Sequence, residues 1–193
     1  MYLTLTDIVL LTSIIQSLAL AVFLLLPSNS GLISNRLLVA TLVFFAAGLG
    51  EIFLYGSGLA LQYPNFAYLG TLIGLLQAGT LYLYAQSLMY QNFQLSGKHL
   101  VHTLLFWVVG AIFLIEYYLQ PSETKVQILL ERDHPGVLTS PLLAVAIHAV
   151  FLGYLYATIR AINRFGLGIR QIFSSIENKQ LAWLRTLLIG YAV

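Results

Sequence analysis

Long apolar runs alternate with short polar stretches along the whole chain. Five of the runs consist almost entirely of apolar side chains, at residues 7–26, 37–56, 66–89, 100–118 and 141–162. A helix of about 20 residues, rising about 1.5 Å per residue, crosses the roughly 30 Å hydrocarbon core of a bilayer. The pattern therefore predicts an all-α fold, a polytopic transmembrane helical bundle with five full spans.

A sixth apolar run, residues 181–193, covers only about half of the hydrocarbon core before the sequence ends. Ser174 and Glu177 precede it in a Ser-x-x-Glu capping-box pattern, and Gly166 and Gly168 disfavour a helix that continues from the fifth span. We therefore expect a new helix to begin near this serine and to form an incomplete sixth span. An amphipathic helix lying flat at the interface is the alternative, disfavoured by its small polar face. On this interpretation the 193 residues are a single-domain fragment of a longer protein.

The composition supports a membrane protein. Hydrophobic residues make up 59% of the chain and charged residues only 8%, whereas soluble domains carry roughly 25% charged residues. The absence of cysteine excludes disulfides and thiolate metal sites. The net charge of +2 is too small to indicate a nucleic-acid-binding surface.

The positive charges are distributed unevenly between the turns of the predicted bundle. Seven of the nine Lys and Arg residues lie in or beside the first, third and fifth turns, namely Arg36, Lys98, Arg160, Arg164, Arg170, Lys179 and Arg185. Cytoplasmic loops of membrane proteins carry such an excess of Lys and Arg. The odd-numbered turns are therefore predicted to face the cytoplasm, the N-terminus to lie outside, and lipid to surround the bundle.

Four polar residues lie deep within the predicted spans and are candidates for a ligand site or a proton-sensitive switch. Glu51 and His148 fall at a similar depth, outside the midplane, and Gln77 and Gln16 lie near the midplane. An ionisable group at this depth costs a few kcal/mol unless it is paired or neutral. The alternative is that each group hydrogen-bonds a neighbouring helix and only fixes its packing.

Two further sets of residues have a simpler structural interpretation. Gly70, Gly74 and Ala78 repeat every four residues, a spacing that allows two helices to approach closely. His99 and His102 are interpreted as polar groups at the membrane interface. Both sets are predicted to serve packing or positioning rather than function.

The chain offers no catalytic constellation. It lacks a phosphate-binding glycine loop, a nucleophile elbow and tandem carboxylates, and its segment ERDHP, residues 131–135, combines one histidine with mixed charges. Such a segment is a weak pattern for a metal site. We therefore expect no enzymatic activity, no cofactor and no bound metal.

The stretch LLQAGTLYLYAQSLMYQNFQLSGKHLVHTLLFWV, residues 75–108, resembles part of a bacterial membrane-sensor domain. That domain often precedes an AraC/XylS-type helix-turn-helix DNA-binding region and shows GP-x-x-Y-x-Y-x-x-S-L, a polar loop, and K/R-x-x-x-H. The matching residues are Gly79, Tyr82, Tyr84, Ser87, Leu88, Lys98 and His102, whereas Thr80 stands where the family has proline.

The end of the chain is similar to the same family, in which a cytoplasmic Y/F-S-x-x-E-x-x-x-L-x-W-L precedes the sixth helix. The residues that fit are Phe173, Ser174, Glu177, Leu181, Trp183 and Leu184. The resemblance implies a seven-helix sensor in the bacterial inner membrane that answers an unknown small molecule. Contact with DNA would come only through a cytoplasmic output domain absent from this sequence, for which some relatives carry a kinase or cyclase.

Two questions stay open at this point. The sequence does not decide whether the domain forms a homodimer. The alternative function is a small transporter or channel-like protein, in which Glu51 and His148 would line a path. The lack of an internal repeat and of an evident broken helix argues against a transporter.

Overall fold

The structure is a computed structural model and describes residues 4–26, 32–90, 92–131 and 140–172, together with Thr186 and Ile189. All regular structure in these ranges is helical. Five segments are long and apolar enough to cross a membrane, namely Leu5–Leu25, Ile33–Gly56, Pro64–Met89, Gly97–Tyr118 and Pro141–Phe165. The all-α fold and the number of such segments are confirmed, whereas the orientation of the N-terminus stays a prediction.

Helices α1 (Leu5–Leu25) and α2 (Ile33–Gly56) form an antiparallel hairpin in which the end of α2 lies near Asp7. Helix α1 begins two residues before the predicted start because Thr4 caps it. The Asp7 carboxylate accepts from the Thr4 backbone N–H at 2.8 Å, and the Thr4 hydroxyl accepts from the Asp7 N–H at 3.2 Å. These bonds satisfy N–H groups that the first helical turn cannot pair internally.

The third span is not one continuous helix, contrary to the prediction for residues 66–89. It follows two short turns, α3 (Leu59–Gln62) and a 3₁₀ turn (Pro64–Phe66), and consists of α4 (Leu69–Gly74) and α5 (Gln77–Met89). Leu75 and Leu76, between the two, keep right-handed helical dihedral angles. Their N–H groups donate three residues back, at 3.2 and 3.1 Å. The interruption is therefore a local tightening that leaves the backbone hydrogen-bonded.

The fourth span also departs from regular α-helix. It begins with a 3₁₀ helix (Gly97–Thr103), continues as α6 (Leu104–Phe113) and ends in a π-helical turn (Leu114–Tyr118). Its start precedes the predicted residue 100 because the Ser96 N–H donates to His99 Nδ1 at 3.0 Å, which closes the first turn.

Helix α7 (Ser122–Leu130) lies in the connection between the fourth and fifth apolar segments. It closes one end of the bundle, where Lys125 Nζ donates to Asn65 Oδ1 at 2.8 Å. Beside it the Tyr117 hydroxyl donates to the Pro64 carbonyl at 2.7 Å, and Ile128 packs in the same cluster. These contacts fix the loop between the second and third spans.

The last helix, α8 (Pro141–Ile172), is longer than predicted. It continues ten residues beyond the predicted end at 162 and includes Gly166 and Gly168. Glycine costs about 1 kcal/mol per residue in a helix interior, which is not enough to end this one. The expectation that the glycines interrupt the helix is wrong, and Ser174 and Glu177 lie outside the described residues.

The opposite end of the bundle gathers the core between α2, α5 and α8. Leu37, Met89 and Ile162 belong to one buried cluster, with Phe93 packed against it. Four of the predicted inner-face cations, Arg36, Lys98, Arg160 and Arg164, lie on elements that meet at this end. The backbone of Arg170 continues α8 beyond it, and Lys179 and Arg185 lie outside the described residues.

Candidate functional site

Three of the four predicted site residues line one cavity. Glu51 from α2, Gln77 from α5 and His148 from α8 surround a space of about 530 Å³, named here the Glu51 cavity. Gln16 does not take part, because it lies on an exposed face of α1. The depth of these residues in a membrane stays a prediction, and the structure shows that three of them border the same space.

Glu51 connects the second and third spans. Its side chain is buried, with 8% of its surface exposed. Oε2 accepts from the Thr71 backbone N–H at 2.6 Å, and Oε1 accepts from the Thr71 hydroxyl at 2.7 Å. Each carboxylate oxygen thus accepts one hydrogen bond from Thr71.

Gly70 allows α4 to lie directly against α2. A Cβ at this position would meet the Ala47 carbonyl oxygen and would stand 2.7 Å from the Glu51 Cβ. At Gly74, one turn later, an added Cβ would have no neighbouring atom within 4 Å. Ala78 is buried. The predicted close approach along these small residues therefore occurs at Gly70, whereas Gly74 borders open space.

Gln77 is a buried member of the Glu51 cavity. The residue is 8% exposed, yet its side-chain amide has no hydrogen-bond partner among the described residues. Every fully enclosed side-chain nitrogen or oxygen in this part of the chain has such a partner. The Gln77 amide is therefore not fully enclosed, and the residue lines the Glu51 cavity.

His148 lines the Glu51 cavity from an exposed position on α8. Its Nδ1 lies 2.7 Å from the Ala144 carbonyl oxygen of the preceding turn. A carbonyl only accepts, so Nδ1 carries the hydrogen and Nε2 is left for another partner. His148 and Glu51 share the cavity wall without a hydrogen bond between them, so the structure does not pair them directly.

A second cavity of about 560 Å³ lies between the third span, α6 and α8, and is named here the apolar cavity. Its wall consists mostly of apolar side chains, including Leu105, Val108 and Phe151. His102 Nδ1 and the Tyr154 hydroxyl also line it and form a hydrogen bond of 2.7 Å. This volume is within the range of small-molecule pockets in proteins.

His102 is a site residue that the sequence assigned to the interface. It packs against Gly79, where a Cβ would stand 3.0 Å from the His102 Cβ. Its ring also lies 5.5 Å from that of Tyr82. These three residues belong to the family-like motif, so the motif itself was the signal, and its members contact one another.

The two cavities adjoin. Thr71, Gly74 and His148 contribute to the walls of both. Gly74 has no side chain, so Thr71 and His148 are the shared wall residues whose side chains can separate the two cavities. The combined site has a polar part at Glu51 and Gln77 and an apolar part between α6 and α8, which suits an elongated amphipathic molecule.

Within the described ranges, no group of three or more His, Asp or Glu side chains is placed to hold a metal ion. No family model, curated protein or solved structure matches the chain. The resemblance to the membrane sensors of AraC/XylS-type regulators therefore stays a prediction.

Proposed function

We propose that this chain is a membrane-embedded sensory domain of the bacterial inner membrane that binds a small molecule within its helical bundle. Its N-terminus would lie outside, and the end that carries Arg36, Lys98, Arg160 and Arg164 would face the cytoplasm. The excess of positive charge at that end supports this orientation.

The observation that carries the proposal is the position of α8. Its first half contributes His148, Phe151 and Tyr154 to the cavity walls. The same helix then continues without interruption to Ile172, beyond the Pro141–Phe165 segment that is apolar enough to span. A change at the cavity can therefore be transmitted along one helix to the cytoplasmic side.

A ligand would act by shifting the equilibrium between two arrangements of the helical bundle. It favours the bundle arrangement in which it binds more tightly, and only this difference in affinity moves the equilibrium. A displacement of α8 would then reach a cytoplasmic output domain, which the family resemblance suggests is DNA-binding. The Glu51–Thr71 contact keeps α2 and α4 together, so the moving part is α8 relative to the rest.

The proposal is tested by filling the junction of the two cavities. Gly74→Trp places a ring where no atom lies within 4 Å of the added Cβ, and Gly153→Trp, equally open but on an exposed face of α8, is the control. Spin labels at Arg36→Cys and Arg164→Cys report the distance between α2 and α8 in lipid nanodiscs. The absence of native cysteine makes the labelling specific.

We expect Gly74→Trp to change the distribution of label distances and Gly153→Trp to leave it as in the parent protein. Equal distributions in all three proteins would contradict a coupling between the cavity and α8. The coding sequence after Val193 gives a second test, in which an in-frame DNA-binding, kinase or cyclase domain supports the proposal and a stop codon argues against it.

A transporter is the second candidate, and one observation favours it. The third span is interrupted at Leu75 and Leu76, beside the Glu51 cavity, and transporter sites often lie at discontinuous helices. However, the N–H groups at this interruption remain bonded, so no unwound backbone is offered to a substrate. Substrate flux into vesicles that Glu51→Gln abolishes would favour the transporter over the sensor.

A further inference from the structure

We infer that the two adjoining cavities bind one amphipathic amine, with its ammonium group at Glu51 and Gln77 and its hydrocarbon body in the apolar cavity. This inference rests on the proposed function, because it names the class of ligand for the same site. It follows from the negative charge of the Glu51 carboxylate, the unpaired amide of Gln77 and the shape of the apolar cavity.

The first argument is the charge of Glu51. Both of its oxygens accept hydrogen bonds from Thr71, which supplies neutral donors and no compensating positive charge. Neither Lys nor Arg is among the residues that line the two cavities. A carboxylate in an apolar bundle needs a counter-charge or extra hydrogen bonds to be tolerated. A cationic ligand supplies both.

The second argument is the number and type of acceptors. A primary ammonium group has three N–H donors. The residues that line the Glu51 cavity include the Glu51 carboxylate and Gln77, whose amide oxygen has no partner among the described residues, and His148 borders the same space. The Tyr55 ring is also part of this wall, and aromatic faces attract cations.

The third argument is the apolar cavity, which accommodates the rest of the molecule. Leu104, Val108 and Val150 line it and are also exposed on the outside of α6 and α8. The cavity thus opens sideways between these helices, at the depth where lipid chains would surround them. His102 Nδ1 and the Tyr154 hydroxyl, two of the few polar atoms in this wall, bond to each other, so most of the wall is suited to a hydrocarbon chain.

Binding of a tritiated n-octylamine probe to the purified protein in phosphatidylcholine nanodiscs tests the inference, with empty nanodiscs as background. Unlabelled n-octylamine, n-octanol and octanoate compete; they share one chain length and differ in the head group. We expect n-octylamine to displace the probe at a concentration at least about tenfold below that of n-octanol, because only the ammonium compensates Glu51. Equal displacement by all three competitors would overturn the inference.

Variants identify the groups that recognise the amine. Glu51→Gln keeps an acceptor for Thr71 but removes the charge, and we expect it to weaken octylamine binding at least about tenfold and octanol binding little. Gln77→Leu, which breaks no hydrogen bond of its side chain within the described residues, should weaken octylamine binding several-fold. Glu116→Gln, at an acid outside both cavities, is the control. Unchanged octylamine affinity in Glu51→Gln and Gln77→Leu would overturn the inference.

The ammonium group has two natural sources, a free amine and the head group of an aminophospholipid. Nanodiscs that contain phosphatidylethanolamine distinguish them. Loss of octylamine binding in these discs assigns the site to the lipid head group, and unchanged binding assigns it to a free amine.

The same preparation separates this inference from the sensor proposal. If octylamine binds with the expected preference but the α2–α8 label distance does not respond, the amine site stands and the sensor proposal fails. If the distance responds equally to octanol and octylamine, the sensor proposal stands and the amine assignment fails.

Discussion

Glu51 on α2 accepts two hydrogen bonds from Thr71 on α4, one from the backbone N–H and one from the hydroxyl. A single carboxylate thereby joins the second and third spans and also borders the Glu51 cavity. The proposed ligand site therefore includes a residue that also contributes to stability, so variants at Glu51 must be compared in both respects.

The Glu51–Thr71 connection predicts a graded loss of stability. Glu51→Leu leaves the Thr71 donors without their acceptor, and we expect it to lower the free energy of unfolding by about 1–3 kcal/mol. Glu51→Gln keeps one acceptor oxygen and should cost less, about 1 kcal/mol. Unfolding titrations in mixed micelles, followed by helical circular dichroism, measure both values. Equal stability of the two variants would show that the connection contributes little.

Two glycines one turn apart predict opposite outcomes of the same substitution. In Gly70→Ala the added methyl would collide with the Ala47 backbone carbonyl and the Glu51 side chain, forcing α4 away from α2. We expect a loss of about 1–3 kcal/mol in the free energy of unfolding. Gly74→Ala adds its methyl to open space and should be neutral or stabilising by up to about 1 kcal/mol.

The same unfolding titrations test this pair, with each variant serving as the control for the other. A Gly70→Ala protein as stable as Gly74→Ala would contradict the close approach of α2 and α4.

The number and placement of the spans could be predicted because they depend on long uninterrupted apolar runs. The ends were predicted less well, since local side chains decide them. Thr4 and Ser96 start their helices earlier than hydropathy alone suggests. The extension of α8 through Gly166 and Gly168 was missed because a glycine's cost is small beside the stability of a long helix.

The site could be predicted only in part, for a geometric reason. Depth along a span is predicted by counting residues, and the structure shows that Glu51, Gln77 and His148 line one cavity. The direction in which a helix faces depends on its neighbours, so Gln16 points away although its depth fits. His102 was assigned to the interface although it belongs to the family-like motif, because its hydrogen-bond partner Tyr154 follows 52 residues later and lies outside that motif.

The positive end of the bundle predicts which positions are accessible from each side of the membrane. Glu123 and Arg164 are exposed residues near opposite ends, and the parent chain has no cysteine. In intact cells, a membrane-impermeant maleimide should label Glu123→Cys directly and Arg164→Cys only after permeabilisation. Lys98→Cys, also exposed, should behave like Arg164→Cys. Labelling of Glu123→Cys and Arg164→Cys from the same side would refute the proposed topology.

The His102–Tyr154 hydrogen bond predicts a measurable coupling between the fourth span and α8. Tyr154→Phe removes the hydroxyl, His102→Ala removes the ring, and the double variant completes a thermodynamic cycle. Hydrogen bonds between helices in membrane proteins average about 0.6 kcal/mol and reach about 1.7 kcal/mol, and we expect this one near the upper value because both partners are half-buried. Tyr156→Phe, on an exposed position of α8, should show no coupling with His102→Ala. Additive effects of His102→Ala and Tyr154→Phe on the unfolding free energy would mean that the contact does not hold α8 in place.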